Sequence, residues 1–241
     1  MIPRIIHQTW KTADVPARWH PWRDSWQRHH PGWRYMFWTD DDNRALIATH
    51  YPWALEVYDG FPDHINRVDA IRFFLLHHYG GLYVDLDFEA LRPIEPLLDG
   101  AEVLMGVEPE AHFREAPHAA MLGITRIVCN AFMASVPGHP LWEQCFAQLL
   151  RGPVGGNVLG VAGGYMLTKV CDAFPEPERL TIVPSSVLYP ITRDEGWADQ
   201  HRPGDPACYP DAYAMHHWTS SWWRGAMLRS VRDRLRALPK E

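Results

Sequence analysis

Apolar and polar positions alternate along the N-terminal part of the chain in a way that predicts short strands between amphipathic helices. Residues 5–10 and 33–38 are β-type runs, whereas residues 16–30 and 41–50 carry the three-to-four-residue apolar spacing of a helix. Thr39 stands just before the second helix, where its hydroxyl can cap the first backbone N–H groups. This β-α-β-α order is typical of a mostly parallel, Rossmann-like α/β sheet flanked by helices.

The next segment, residues 70–87, predicts a helix, a turn at Gly80-Gly81 and an apolar strand that ends in two carboxylates. On a strand, Asp85 and Asp87 point to the same face with their Cα atoms roughly 6.5–7 Å apart. Carboxylate oxygens suit Mg²⁺ or Mn²⁺, which also bind substrate phosphates. Because ligands bind at strand ends in open α/β sheets, the segment predicts a site for a metal ion and a diphosphate.

Further elements follow with less regular spacing. Strands are expected over residues 102–107, 127–134, 180–183 and 213–218, and helices over residues 141–151 and 161–174. Residues 108–125 and 192–212 are loop-like, and loops of this length often cover an active site. With no internal repeat and no change of composition along the chain, residues 1–241 are expected to form a single domain.

Three polar residues outside the carboxylate pair are candidates for substrate contact. Asp69 and Arg72 are three positions apart on the predicted helix and therefore share a face. They form either a surface ion pair of little energetic value or a pair that binds phosphate and sugar hydroxyls. Asn130, at the end of a predicted strand, is either a turn residue or a polar contact to a sugar.

Two histidines near the C-terminus are candidate ligands for the same metal. On a strand, His216 and Trp218 face one way and His217 the other. The carboxylate pair lacks a third ligand, and a neutral imidazole can supply it. His216 is the first candidate and His217 the second, and the alternative for both is a hydrogen-bonded histidine of the core.

The net charge, the tryptophan content and the cysteine spacing restrict the kinds of function that the sequence predicts. The formal net charge of −6 argues against a general nucleic-acid binder, which needs a basic face. Twelve tryptophans are unusual; most are expected in the core, and the rest can stack on a base or a sugar. The four cysteines show no disulfide or metal spacing, so we expect reduced thiols in a cytoplasmic protein.

The C-terminal run, residues 222–236, is basic and partly apolar. A packed terminal helix with a solvated arginine face is the first interpretation, and peripheral contact with the anionic inner face of a membrane is the second. Because the chain contains no 18-residue apolar run, we expect no spanning helix.

The order of these motifs resembles glycosyltransferase family 32, whose members have a GT-A fold and a DXD sugar-binding region. The matching segments cover nearly the whole chain and are residues 2–10, 67–72, 79–87, 130–140 and 216–222. The family includes the yeast initiating α-1,6-mannosyltransferases, and its core is distantly similar to the clostridial glucosylating toxins. The resemblance implies one GT-A domain, with a nucleotide-sugar half over about residues 1–90 and an acceptor and closing-loop half over about residues 91–241.

The resemblance also implies roles for individual side chains. Asp69 and Arg72 would contact the donor sugar and its phosphate. Asp85 would meet the ribose or a metal-bound water, Asp87 would ligate the metal directly, and His216 would add a late metal or diphosphate contact. The residues expected to bind the donor are Trp10, Gln8, Asn130, Trp218, Ser221 and Trp222. Among these, Trp10 would lie against the base or ribose, and Trp222 would lie on a mobile closing loop.

We therefore expect a retaining, Mn²⁺- or Mg²⁺-dependent hexosyltransferase. GDP-mannose is the first donor considered and a UDP-hexose the second, and the acceptor is a hydroxyl of a glycan, a glycolipid or a small metabolite. One alternative is a non-catalytic carbohydrate-binding protein that uses the tryptophans. Another is a phosphohydrolase of the haloacid-dehalogenase type, although Phe88-Glu89 does not match the usual continuation of its motif.

Overall fold

The structure is a computed structural model that describes residues 1–114, 117–198 and 207–219. The strands in these ranges are β1 (Ile5–Thr9), β2 (Arg34–Trp38), β3 (Gly81–Val84), β4 (Phe88–Ala90), β5 (Val103–Val107), β6 (Val128–Ser135), β7 (Leu180–Val183) and β8 (Ala214–His216). The larger helices are α1 (His20–His29), α2 (Asp40–His50), α4 (His64–Tyr79), α8 (Pro140–Arg151) and α9 (Gly164–Asp172). The short helices are α3 (Leu55–Asp59), α5 (Glu95–Leu98), α6 (Ala111–Arg114), α7 (Pro117–Met121), α10 (Ser185–Leu188) and α11 (Arg193–Ala198).

A mostly parallel sheet forms the centre of the molecule, as predicted. Its six strands lie in the order β2-β1-β3-β6-β5-β7. β1 pairs in parallel with β2 and β3, and β5 pairs in parallel with β7. β6 is antiparallel to both of its neighbours and is buried over its whole length. The apolar run of β3 is likewise fully buried, which is typical of a strand covered by helices on both faces.

A second, two-stranded sheet was not predicted. β4 pairs antiparallel with β8, so that Phe88 lies opposite His216 and Ala90 opposite Ala214. A three-residue strand leaves little periodicity in a sequence, because a period of two needs several residues to be recognised. The pairing has a functional consequence, since it brings the C-terminal histidines to the residue that follows Asp87.

Two glycines in the turn between α4 and β3 allow this turn to pack closely against β1 and Pro137. Gly80 and Gly81 both have positive φ, at 63° and 91°. A Cβ atom on Gly81 would lie 2.7 Å from the carbonyl oxygen of Ile5, and one on Gly80 would lie 2.7 Å from the Pro137 ring. Only glycine combines this backbone conformation with this approach. The turn therefore delivers β3 directly beside β1.

Three sequence predictions differ from the structure. β3 ends at Val84, and Asp85 to Asp87 form a turn in which the Phe88 N–H donates to the Asp85 carbonyl at 3.1 Å, so the prediction that both carboxylates lie on the strand is wrong. The last strand spans only three of the six predicted residues, Ala214–His216, and the chain leaves the extended conformation at Trp218, which has a φ of 51°. The segments predicted as loops contain the short helices α6, α7 and α11.

Helix α2 begins as the sequence predicts. The Thr39 hydroxyl accepts a hydrogen bond from the Asp42 N–H, and the Asp42 carboxylate accepts one from the Thr39 N–H. This reciprocal arrangement satisfies backbone donors that the first turn leaves free. No helix in the described part of the chain combines the length and the apolar character needed to cross a bilayer.

Candidate active site

Asp85 is held at the end of β3 through its backbone. Its N–H donates to the Ala131 carbonyl at 2.9 Å, which continues the pairing of β3 with β6. Its carbonyl accepts from Gln8 Nε2 at 3.2 Å, and Gln8 Oε1 in turn accepts from the Tyr35 hydroxyl at 2.8 Å. Gln8, predicted to contact the donor, is fully buried with both polar side-chain atoms bonded inside the protein. In this structure Gln8 positions Asp85.

The Asp85 carboxylate has two partners. The Tyr83 hydroxyl donates to its Oδ1 at 2.9 Å, and Arg72 Nη2 lies 3.1 Å from the same oxygen. Burial raises the pKa of Asp85 above its usual value, even though the charge of Arg72 acts in the opposite direction. Asp85 is thus a partly desolvated carboxylate with a fixed orientation.

Arg72 and Asp69 are buried rather than exposed, which excludes the surface ion pair. Arg72 Nη2 lies 3.1 Å from Asp69 Oδ1, and the two side chains are 5% and 8% exposed. Arg72 Nη1 donates to the Asn130 carbonyl at 2.8 Å, and Asn130 Nδ2 donates to Asp69 Oδ1 at 3.0 Å. The Asp69–Arg72 pair and Asn130, which were predicted separately from sequence, form one network with Asp85.

Within this network the pKa values of both Arg72 and Asp69 are raised. Burial opposes the charge of Arg72, but Asp85, Tyr83 and Asp69 more than compensate and raise its pKa. Burial raises the pKa of Asp69 to about 6, and Arg72 limits the rise. One guanidinium therefore faces two carboxylates, and Arg72 stays cationic at every physiological pH.

Asp87 is held by the chain around β8. His216 Nε2 lies 3.1 Å from Oδ1, while the N–H and the hydroxyl of Thr219 donate to Oδ2 at 2.9 and 2.7 Å. Burial opposes the charge of Asp87, but His216 and Thr219 outweigh it and hold its pKa below the usual range. Asp87 is therefore a carboxylate with every oxygen directed by a partner.

Asp85, Asp87 and His216 fit a divalent cation. One ligand atom from each lies within 4.8 Å of the other two, and no other group of three potential ligands of this kind occurs in residues 1–114, 117–198 and 207–219. Two carboxylates and an imidazole suit Mn²⁺, and the carboxylates suit Mg²⁺. His217 faces the other way, with Nε2 at 2.9 Å from Glu89 Oε2 and its ring stacked on Trp22. His216 is thus the histidine that lies beside the carboxylates.

Of the remaining residues predicted to contact the donor, the structure describes Trp10 and Trp218. Trp10 is half-buried, packs edge-to-face on Trp19 at 4.3 Å and belongs to the apolar cluster that includes Leu86 of the carboxylate turn. Trp218 is buried, and its ring centroid lies 4.1 Å from that of His216. Ser221, Trp222 and the basic run at 222–236 lie outside the described residues.

Sequence reasoning missed the residues that orient the carboxylates. Thr219 and Tyr35 were assigned no role, and Tyr83 was read only as part of an apolar strand. A threonine three residues after a candidate ligand, or a tyrosine within a strand, has no periodicity of its own. The pairing of β4 with β8 brings this part of the chain to Asp87, and it was itself not predicted.

Comparison with known proteins shows which proteins the chain is similar to. The family described as "Glycosyltransferase sugar-binding region containing DXD motif" matches residues 16–104, which include Asp69, Arg72, Asp85 and Asp87. Inositol phosphoceramide mannosyltransferase 3 of Schizosaccharomyces pombe is 48% identical over 150 residues, which are 62% of this chain and 38% of that protein. The initiation-specific α-1,6-mannosyltransferase of Candida albicans is 25% identical over 165 residues, 61% of this chain and 42% of that protein.

The chain thus spans about two-fifths of the length of these relatives. Among solved structures, the PaToxG glycosyltransferase is similar, with a TM-score of 0.52 at 16% identity over 73% of this chain and 71% of that one. At this identity the similarity concerns the fold alone, and it confirms the predicted GT-A architecture. Over residues 16–104, the chain is thus similar to glycosyltransferases with a DXD-containing sugar-binding region.

Proposed function

We propose that this chain is a metal-dependent, retaining hexosyltransferase that moves mannose from a nucleotide diphosphate sugar to an acceptor hydroxyl. GDP-mannose is the first donor to test and a UDP-hexose the second. The observation that carries the proposal is the convergence of Asp85, Asp87 and His216 at the end of β3, next to the network of Arg72. The similarity of residues 16–104 to the DXD-containing glycosyltransferases supports the nucleotide-sugar chemistry.

The proposed roles follow from the positions of the side chains. Asp85, Asp87 and His216 would hold Mn²⁺ or Mg²⁺. When bound, the ion would neutralise the charge that develops on the leaving diphosphate. Arg72 would contribute a fixed positive charge beside the diphosphate. Asp69 would accept hydrogen bonds from sugar hydroxyls, and Asn130 would donate to them.

Retention of configuration comes from the family resemblance. Retaining glycosidases use a carboxylate as nucleophile. In this chain Arg72 and Asn130 contact Oδ1 of Asp69, and Arg72 and Tyr83 contact Oδ1 of Asp85, so both carboxylates belong to the charged network of Arg72 and we assign neither of them as a nucleophile. We therefore favour departure of the diphosphate and attack of the acceptor on the same face of the sugar, with a leaving phosphate oxygen taking the acceptor proton.

The donor half is proposed to lie in residues 1–90, which contain Trp10 and both aspartates of the turn. Trp10 would stack on the base or ribose from the side of Leu86. Residues 91–241 would supply the acceptor side. Because the relative from S. pombe is named for inositol phosphoceramide, an inositol phospholipid is the first acceptor to test, followed by glycans and small metabolites. A lipid acceptor would also be consistent with peripheral membrane contact through residues 222–236.

A panel of donors tests the proposal. GDP-mannose, UDP-glucose, UDP-galactose and UDP-N-acetylglucosamine are titrated by calorimetry with Mn²⁺ and with EDTA, and thermal stability is followed in parallel. We expect one donor to bind and stabilise the protein only when Mn²⁺ is present. Equal binding of sugars with and without metal would instead favour a carbohydrate-binding protein.

A further inference from the structure

Trp218 has an unusual backbone for a bulky residue. Its φ of 51° makes it the one non-glycine residue with positive φ in the described part of the chain. L-residues with large side chains rarely adopt this left-handed conformation, and they persist in it only where the surrounding structure enforces it. The residue lies between two groups that bond the same carboxylate, His216 before it and Thr219 after it.

The left-handed turn explains how both groups reach Asp87. His216 is the last residue of β8, and its Nε2 lies 3.1 Å from Asp87 Oδ1. A continuing strand would carry Thr219 away along the sheet, since successive residues rise by about 3.3 Å. Instead the chain reverses at Trp218, and the N–H and hydroxyl of Thr219 donate to Asp87 Oδ2.

Helix α11 packs closely against the backbone of this turn. A Cβ atom on Gly196 would lie 2.7 Å from the His217 carbonyl oxygen and 3.1 Å from the Trp218 ring, so only a glycine permits the approach. Thr192 and Glu195 fix the start of the helix, because the Thr192 N–H donates to Glu195 Oε2 and the Glu195 N–H donates to Thr192 Oγ1.

The indole ring of Trp218 is held on its other sides. Its Nε1 donates to the Ile191 carbonyl at 3.0 Å, and His112 meets the ring edge-on at 4.6 Å. His112 is itself fixed, because its Nε2 accepts the Arg193 N–H at 2.7 Å and its Nδ1 donates to Glu108 at 2.9 Å. None of these contacts involves the three candidate metal ligands directly.

We propose that Trp218 is a positioning residue, held in its left-handed conformation by Gly196 and His112 so that His216 and Thr219 close on Asp87 from both sides. Its effect on the metal site would be indirect, through the orientation of Asp87 and the position of His216. The inference concerns the metal site of the proposed transferase and rests on that function for its catalytic meaning, but the contact between Thr219 and Asp87 can be measured without metal or donor.

The test uses Gly196→Ala, with Gly60→Ala as its matched control. A Cβ atom on Gly60 would also approach a backbone oxygen closely, at 3.0 Å from Glu56, but on helix α3. Hydrogen exchange of the Thr219 amide, measured without metal, is expected to be about ten-fold faster in Gly196→Ala and unchanged in Gly60→Ala. The Mn²⁺ dissociation constant, measured by calorimetry with GDP present, is expected to rise about 10–100-fold in Gly196→Ala alone.

A second variant covers the case in which Gly196→Ala does not fold. Trp218→Phe keeps an aromatic ring but removes the Nε1 donor to Ile191 and reduces the ring's packing area, and it is expected to speed exchange at Thr219 in the same direction. Unchanged exchange at Thr219 in whichever variant folds would overturn the inference. If exchange changes as expected but neither the wild type nor the variants bind Mn²⁺, the positioning stands and the proposed metal-dependent function fails.

Discussion

Arg72 is the residue that joins the donor-side network to the carboxylate turn. It lies 3.1 Å from both Asp69 and Asp85 and donates to the Asn130 carbonyl. It also stacks on Tyr83, with its guanidinium carbon 4.9 Å from the ring centroid. A planar, five-donor side chain can make these contacts together, whereas a lysine offers one compact charge.

Arg72→Lys therefore tests the network while keeping the positive charge. We expect the free energy of unfolding to fall by about 3 kcal/mol, because a lysine leaves one of the buried carboxylates unpaired. We expect turnover to fall about 100-fold, because the fixed charge beside the diphosphate is displaced. Urea denaturation and donor turnover measure the two effects.

The control for this substitution is Arg44→Lys. Arg44 also makes an ion pair with a carboxylate, that of Asp59 at 2.7 Å, but both side chains are exposed. Exposed pairs contribute little, so stability and turnover are expected to stay at the wild-type level. An equally mild result for Arg72→Lys would contradict the role given to its buried contacts.

At the scale of elements, the Gly80-Gly81 turn sets where β3 begins and hence where Asp85 lies. Gly81→Ala places a Cβ atom 2.7 Å from the Ile5 carbonyl oxygen at a φ of 91°. We expect a loss of at least about 2 kcal/mol in the free energy of unfolding, since backbone strain and steric overlap act together. Denaturant titration followed by tryptophan fluorescence measures it.

Gly138→Ala separates the cost of backbone strain from the cost of steric overlap. Gly138 also has positive φ, at 67°, but a Cβ atom there would meet nothing within 4 Å. We expect the free energy of unfolding to fall only by the conformational cost, about 1 kcal/mol. Equal losses in the two variants would mean that the approach of Ile5 to the turn is not as close as described.

The elements also show which predictions a sequence supports. The strand at β1 and the helix start at Thr39 were predicted close to their observed positions, and the helix that carries Asp69 and Arg72 was predicted up to the Gly80-Gly81 turn, although it begins as early as His64. β4 is too short for a period, and the left-handed conformation of Trp218 depends on α11, which is distant in sequence. The clustering of Asp85, Asp87 and His216 was predicted, but the strand alternation offered as its cause was wrong because a turn produces it.

At the scale of the whole molecule, buried histidines couple stability to pH. His7 donates through Nε2 to the Gly80 carbonyl and accepts through Nδ1 from the Trp38 indole, so it is neutral in this arrangement. Burial lowers the pKa of His7 from 6.5 to about 4. The residues whose pKa burial lowers in the same direction are His29, His30, His77, His78 and His139.

The sign of the effect follows from proton binding. Between about pH 6.5 and pH 4 the unfolded chain binds a proton at residue 7 that the folded chain does not, so stability falls as pH falls through this window. His7 alone should contribute on the order of 3 kcal/mol over the window. In His7→Gln the slope of unfolding free energy against pH should be shallower, whereas in the exposed control His118→Gln it should match the wild type. A slope unaffected by His7→Gln would contradict the neutral, bonded imidazole.

The central claim is that a metal ion held by Asp85, Asp87 and His216 supports sugar transfer. The most direct measurement is release of nucleoside diphosphate from the donor at increasing Mn²⁺ concentration, in the wild type, Asp87→Asn and the exposed control Asp99→Asn. We predict Mn²⁺-dependent release that falls by at least about 100-fold in Asp87→Asn and is unchanged in Asp99→Asn. Release in Asp87→Asn at the wild-type rate and with the same Mn²⁺ dependence would contradict the account.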